Sequence, residues 1–596
     1  MNQDELLSRL NGIEWNDFEC KRAQRGVPDD AYKTVSAFAN TAGGWLVFGV
    51  SELNGKLEVA GVETPDNVQN DFLSVLRSGQ KLSRVIAVEA HRFLIDGKHV
   101  FAFHVPESSR SEKPVYLKGD PRQSYLRRGA GDEQCTQSEL ERFLRDAARD
   151  RYDGVVLADM PVDQCLDTET VQWYKAQFER RNPEHSEIND PIEFLLNWNF
   201  VVEQNGDTLP TRAGVLLFGT GRYVRQILPR PVLDYQRIDT AFDLWSAEQR
   251  WHDRYVFEEN IFQTWQGLVP RYMRNAEHPF SIDPSTLRRN DDPPDYVAFR
   301  EAAINLLIHQ DYGDHGRKAS IRLFADRTVF WNPGDALATE AELLDPTEKE
   351  VRNPAIVKAF RRIGLSDQAG TGIRAIFRNW HELGRVPPSL TNNKARKEFE
   401  LVLIKKPLVS EAIRRFSQTL DTNLTTEQAD VLALALSLSV GQVLTLTAIR
   451  TLGSRTKQQA KAVADDLVSQ QLLDSLGDTQ FQAQETVRHR FGLEAETQRA
   501  NEVGTKSGPS RDQVGTKLEL SAEQRKVLAQ MTDEHDIPTL MDWSGRSNRT
   551  KFREVVLAPL MEMELVAMTI PDKPQSSKQR YQLTVKGRAL QVEVAE

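Results

Sequence analysis

What the 596-residue chain lacks narrows it first. It has three cysteines, Cys20, Cys135 and Cys165, an odd number scattered far from any metal-ligand spacing. That pattern argues against a disulfide-stapled scaffold or a cysteine zinc site and suits a reducing cytoplasm. Positive charge is not in excess. The formal net charge is −10, so nucleic-acid contact has to come from local basic patches. No uninterrupted hydrophobic run is long enough for a membrane span. The most apolar window, 431 to 449, is broken by Ser437, Ser439, Gly441 and Gln442, and predicts short buried helices. The start, MNQDELLSRLNGIEW, is acidic and lacks the apolar core of a secretory signal. A Walker A phosphate loop is missing too. GVPDDAYKT (26–34) has no glycine before its lysine, and GTKS (504–507) has no upstream strand or glycine, which leaves a helicase motor without support.

What is present is an ordinary soluble composition, 39% hydrophobic and 27% charged, on a chain long enough for about three to five domains. The patterns predict an α+β multidomain protein. Residues 1–150 read as an α+β domain, in which AFANTAGGWLVFGVSE (37–52) is a helix end, a Gly-Gly turn and an apolar strand. Residues 151–235 read as a helical connector, with Gly214 and Gly219 bracketing a short buried strand. Residues 236–408 mix helices with the strand pair ASIRLFADRTVFWNPG. Helix, turn, helix and a charged helix over 420–489 predict a winged helix-turn-helix. Residues 490–518 are polar, rich in glycine and serine, and read as a linker. Residues 519–596 read as a second winged helix.

The stretch REAAINLLIH (300–309) carries the most chemistry. In a helix, Glu301, Asn305 and His309 form one polar stripe, while Ile304, Leu307 and Ile308 fall off it and can be buried. Such a stripe is either a satisfied seam in a core or the wall of a site. An asparagine can ligate a nucleotide-bound magnesium while a glutamate orients or deprotonates water. Downstream, NPG (332–334) ends a strand and GTG (370–372) opens a helix, turns at which backbone N–H groups can approach a base or phosphate.

Taken in order, FREAAINLLIHQDY, ADRTVFWNPGDAL, RNPAIV and GTGIRAI resemble the ATP-binding domain of RecG-like C-terminal, divergent AAA-type proteins. That domain is similar to the Bergerat (GHKL) fold, an α/β sandwich. The resemblance covers roughly 290–400. It implies ATP and Mg2+ as cofactors and Glu301 as the water-activating ATPase candidate. Asn305 becomes the metal ligand, His309 a further nucleotide contact, Asn332 and Gly334 the adenine side, and Gly370, Thr371 and Gly372 the phosphate lid. Gln310 stands where arginine is usual, and Asn-Pro-Gly replaces the fuller Asp-x-Gly-x-Gly. Binding is thus better supported than turnover.

The first domain has its own resemblance, over about 12–148. Glu19 and Lys21 in FEC-K, AFANTAGGWLVFGV, KPVYLK and SYLRRGA look like the AlbA-type domain of Schlafen proteins. Lys21, Asn40, Thr41, Lys118, Arg127 and Arg128 become candidate nucleic-acid contacts, the basic ones to phosphate. Some Schlafen proteins cut RNA with paired glutamates and a distant aspartate. Glu14 and Glu19 match that spacing, but Ser51-Glu52 stands where the third acid is expected. In the C-terminal half, Arg455, Lys457, Arg546, Arg549 and Lys551 dot the predicted recognition helices.

Together these features predict an ATP-binding, nucleic-acid-binding cytoplasmic protein, dimeric or larger, in which nucleotide state controls domain packing and DNA or RNA binding. Its role would be transcriptional regulation or defence. A metal-dependent nuclease on Glu14 and Glu19, or a scaffold with an inactive nucleotide pocket, are the alternatives.

Overall fold

The segment AFANTAGGWLVF is the helix, turn and strand that its pattern predicts. With α1 (Gln3–Leu10) and β1 (Phe18–Lys21) ahead of it, α2 (Asp30–Asn40) stops before Gly43, whose φ is +77°. Only glycine fits that turn, because a Cβ would stand 2.9 Å from the Val105 carbonyl oxygen. The chain then enters β2 (Gly44–Phe48), crosses α3 (Pro65–Ser78), and returns through β3 (Glu89–Ile95) and β4 (Lys98–Val105). The sheet order is β1-β2-β4-β3, with β1 and β2 parallel. Alternation along the strands gives it two faces. Phe48, Phe101 and Phe103 pack on Phe38 and Phe72 of the helices, while Val47, Val100 and Ala102 meet Leu6 and Leu10 of α1. A hairpin of β5 (Tyr125–Arg128) and β6 (Gly131–Gln134) leads to α4 (Gln137–Ala147), opened by a Thr136–Glu139 capping box.

The computed structural model describes residues 1, 3–10, 17–53, 56–148, 151–185, 190–246, 251–274, 293–345, 347, 349–366, 372–409, 416, 424–438, 442–452, 455–491, 522–531, 535–545, 552, 556–562, 565–569 and 580–584. They belong to two units, Met1–Ala500 and Asn501–Glu596. The predicted linker 490–518 falls almost wholly outside the described residues.

The segment read as a connector has no core of its own. Its helix α5 (Thr168–Arg181) brings Tyr174 and Phe178 into one cluster with Phe200, Phe218, Phe262 and Phe360. The buried strand expected between Gly214 and Gly219 is instead a helix, Arg212–Phe218, with Thr211 accepting from the Gly214 N–H. A Cβ on Gly214 would lie 2.2 Å from the Phe200 carbonyl oxygen, so glycine marks a close approach of this helix to the backbone entering strand Val201–Gln204.

Next come β7 (Leu233–Arg237), β8 (Asp253–Phe257), α6 (Ile261–Met273) and α7 (Pro294–His309). They are followed by β9 (Ser320–Leu323), β10 (Arg327–Pro333), α8 (Glu340–Leu343), α9 (Pro354–Arg362), α10 (Gly372–Glu382), β11 (Ser389–Asn393) and β12 (Glu398–Ile404). The six strands order β8-β7-β9-β10-β12-β11, with β7 and β9 the parallel pair. In the β10–β12 register Phe330 faces Leu401 and Asn332 faces Phe399, so these four share one face.

Residues 424–491 hold α11 (Thr426–Ser437), β13 (Leu444–Thr445), α12 (Leu446–Thr451), α13 (Lys457–Ser469), β14 (Leu473–Ser475) and β15 (Gln480–Ala483), in a sheet ordered β13-β15-β14. The second unit has helices at Ala522–Gln530, Ile537–Ser544 and Ala558–Glu562, and an antiparallel pair, Val566–Met568 with Tyr581–Leu583. Among the described residues no helix is long and apolar enough to cross a membrane.

Candidate functional site

Helix α7 begins after Pro293 with Pro294 in its first turn, where the missing N–H does no harm. Ala303, Ile304, Leu307 and Ile308 are buried in the core. Glu301, Asn305 and His309 instead line a cavity of about 390 Å3, within the range of small-molecule sites. The opposite wall is the sheet face with Phe330, Asn332, Phe399 and Leu401. Gly334, Asp335, Lys349, Glu350 and Arg352 form a third side, and Gly372 and Ile373 of α10 a fourth.

The polar groups are not equivalent. Asn305 Nδ2 is buried and has no hydrogen-bond partner among the described residues, so its donor is open to an acceptor in the cavity. Arg300 Nη2 approaches Glu301 Oε1 at 3.4 Å. Burial, and then the Arg352 charge, push the His309 imidazole down to about 4, so it is neutral near pH 7. A Cβ on Gly372 would come within 3.3 Å of Asn305 Nδ2 and 3.5 Å of Glu301 Oε2. Glycine there lets the start of α10 close over the stripe. Asn332 has a different task, its Nδ2 donating to the carbonyls of Pro333 (3.2 Å) and Gly334 (3.3 Å). Gly334 has φ +102° and its N–H donates to the Lys397 carbonyl at 2.8 Å. Asn332 and Gly334 therefore shape the turn at the cavity, and the Gly334 N–H expected to face a base already has a partner. Gly370 and Thr371 lie outside the described residues.

Two wall residues had no role in the sequence reading, although Arg352 opens RNPAIV and Asp335 follows NPG. Arg352 Nη2 donates to Asp335 Oδ1 at 3.0 Å and Nη1 to Asp146 Oδ1 at 3.0 Å. Lys397 Nζ stands 3.3 Å from Asp335 Oδ2. Burial works to raise the Asp335 pKa, but Lys397 and Arg352 outweigh it and hold the carboxyl at about 2. Arg230 is buried against Gln310, its Nη1 3.1 Å from Gln310 Oε1 and its Nη2 3.0 Å from the Asp311 carbonyl.

The N-terminal candidates are placed differently. Asn40 is fully buried. Its Nδ2 donates to Val115 O (2.8 Å) and Tyr125 O (3.1 Å), and its Oδ1 accepts from Val115 N (2.7 Å). Thr41 Oγ1 donates to Ala37 O at 2.7 Å and accepts from Arg127 N at 2.9 Å. Arg127 is buried, its guanidinium 2.9 Å from both Glu19 Oε2 and Asp132 Oδ1. Lys21 pairs with Glu19 (2.8 Å) and Asp30 (3.0 Å). Asn40, Thr41, Lys21 and Arg127, read as nucleic-acid contacts, thus hold the domain together. Arg128 pairs with Glu133 at 2.9 Å and with Glu139, while Lys118 is exposed in a turn at φ +56°. Thr41, Arg127 and Arg128 also border an open groove of about 1010 Å3 shared with Arg317, Lys394 and Arg396. Both Glu19 oxygens face cations, and Glu14 lies outside the described residues. Among the described residues no cluster of three histidine, cysteine, aspartate or glutamate side chains could hold a metal ion. Arg455 is buried, 3.8 Å from Glu427, and Lys457 is exposed. Arg546, Arg549 and Lys551 lie outside the described residues.

The Glu301–Asn305–Gly372 corner fits a magnesium nucleotide. It offers an amide and a carboxylate, the oxygen donors that Mg2+ prefers. The Asn305 N–H group, without a partner among the described residues, and the opening turn of an 11-residue helix stand beside them.

Family models match four stretches. Schlafen, AlbA_2 covers 14–136, and "Putative ATP-dependent DNA helicase recG C-terminal" covers 316–403. The chain carries both domains. The second match begins after α7, so the stripe lies ahead of it. A domain of unknown function covers 141–234, and a Fic-like C-terminal domain covers 523–584. Among solved structures, a Corynebacterium diphtheriae protein is 18% identical, covering 96% of this chain and 95% of that one, with a TM-score of 0.36. The N-terminal domain of a RecG-related protein from Nitrosomonas europaea is 30% identical over 23% of this chain and 95% of its own, with a TM-score of 0.19. A Desulfovibrio desulfuricans Fic family protein is 15% identical over 55% of this chain and 95% of its own, with a TM-score of 0.12. No curated protein matches.

Proposed function

We propose that the chain is a nucleic-acid-associated, ATP-binding protein whose nucleotide state controls domain packing and DNA or RNA binding, in transcriptional regulation or defence. The observation that carries this reading is Asn305 Nδ2, a donor buried at the wall of the cavity with no partner among the described residues, beside Glu301 and Gly372. In that reading Asn305 holds the cation through Oδ1, Glu301 orients a water, and the start of α10 faces the phosphates. Bound Mg2+ would neutralise phosphate charge there. Turnover has weaker support, because NPG lacks the fuller glycine pattern.

Two contacts support control from the cavity. Arg450 of α12 donates to Asp345 Oδ1 at 2.5 Å, just after the α8 segment bordering the cavity. His381, near the end of α10, lies 2.8 Å from Asp430 of α11. We read 424–491 as a winged helix-turn-helix, with Lys457 at the exposed start of its third helix. A shift of either cavity wall would then move that module.

Titration of the full chain with labelled ATP and magnesium tests the site. Asn305→Ala is expected to weaken binding by about tenfold or more. Equal binding by both chains would remove the assignment.

A further inference from the structure

We infer that Asp146, in the N-terminal domain, is a positioning residue for the base end of the nucleotide cavity, acting through Arg352. The inference rests on the nucleotide reading above and adds a residue outside the Schlafen and RecG-like matches, in the stretch 141–234 that the domain of unknown function covers.

The cavity has two ends. Glu301, Asn305 and Gly372 meet at one. Helical rise puts His309 about 12 Å from Glu301, and the Arg352 charge acts on His309. A Cβ on Gly334 would stand 3.3 Å from Arg352 Nε. Arg352 therefore belongs to the end away from the proposed cation, where a nucleotide with its phosphates at Asn305 would put its base.

What holds Arg352 there comes from two domains. Asp335 is local, and Asp146, at the end of α4, is 206 residues away in sequence. The side chains of Arg352 and Asp146 are 9% and 12% exposed, so water screens this pair little. Burial opposes the guanidinium charge, but Asp146, Asp311 and Asp335 together raise its pKa. The neighbouring wall residue is pinned from the same side. Glu350 accepts from Arg110 Nε at 3.1 Å and from Arg151 Nη2 at 2.5 Å. Without Asp146 the guanidinium keeps one carboxylate and loses the second point that fixes its plane. The site is thus completed by the N-terminal domain, and by linkage nucleotide binding must favour the docked arrangement that Asp146 supplies.

The test is calorimetric titration of the full chain, with magnesium, using ATP and inorganic tripolyphosphate as separate probes. Tripolyphosphate has no base and reports on the cation end and on correct folding. Asp146→Asn is expected to weaken ATP about tenfold, the scale of one charge-assisted contact, and to leave tripolyphosphate within about twofold. Asp146→Glu should recover part of the ATP affinity. Adding Asp146→Asn to Arg352→Ala should cost nothing further. Unchanged ATP affinity in Asp146→Asn, equal loss for both probes, or additive losses in the double variant would overturn the inference while leaving ATP binding intact. A wild-type chain that binds neither probe would overturn the nucleotide reading and this inference with it.

Discussion

Asn40 and Asn305 sit near the ends of two apolar helices and look alike in sequence. Asn40 has every polar atom paired with the backbone of its own domain, at Val115 and Tyr125. Asn305 has a buried Nδ2 with no partner among the described residues, at the wall of a cavity. The first amide builds a fold, and the second has a donor that its described surroundings leave unused. A polar group in an apolar helix is therefore uninformative until its partners are known, and the partner census separates the two.

The comparison breaks most visibly at Asn40. Asn40→Ala would strip four hydrogen bonds, three of them to backbone, from a fully buried position, a loss of about 3–5 kcal/mol. Hydrogen exchange of the N-terminal domain in the full chain reads it. A loss under about 1 kcal/mol would show that this amide is not structural.

A smaller effect is expected at the other end of the α7 stripe. His309 has a folded-state value near 4 against an ordinary 6.5. The unfolded chain therefore binds more protons between those values. The stability contribution is complete above pH 6.5 and is lost as pH falls toward 4, by on the order of 3 kcal/mol. His309→Gln should flatten that slope in denaturation curves taken across the window, and an unaltered slope would place the burden elsewhere.

Asn305→Ala should change stability by less than about 1 kcal/mol, because Nδ2 has no partner to lose among the described residues. A penalty as large as that of Asn40→Ala would erase the contrast. The smallest effect concerns Lys457, exposed at the start of α13. Lys457→Ala should leave folding unchanged and reduce the salt dependence of nucleic-acid binding by a slope of about 1. An unchanged slope would remove Lys457 from the interface.

Much of this architecture was legible because it is local. The α7 stripe, the β9–β10 strand pair and the Gly43 turn follow from periodicity and turn chemistry within windows of about 15 residues. The run between Gly214 and Gly219 reads as a strand, although it is helical, because a short apolar run between glycines carries no period. Only the approach to the Phe200 backbone shows why Gly214 is there. The pairings of Arg127 with Glu19 and of Arg352 with Asp146 span more than a hundred residues, and no local pattern encodes them. Gln310 teaches the same lesson from the other side, since the guanidinium beside it arrives from Arg230.

The most direct measurement is a crystal structure of the full chain with Mg2+ and a non-hydrolysable ATP analogue. The account predicts the cation on Asn305 Oδ1, the phosphates at the start of α10 beside Gly372, and the base toward Arg352. Nucleotide density away from Asn305, or a cavity that stays closed to it at saturating ligand, would contradict it.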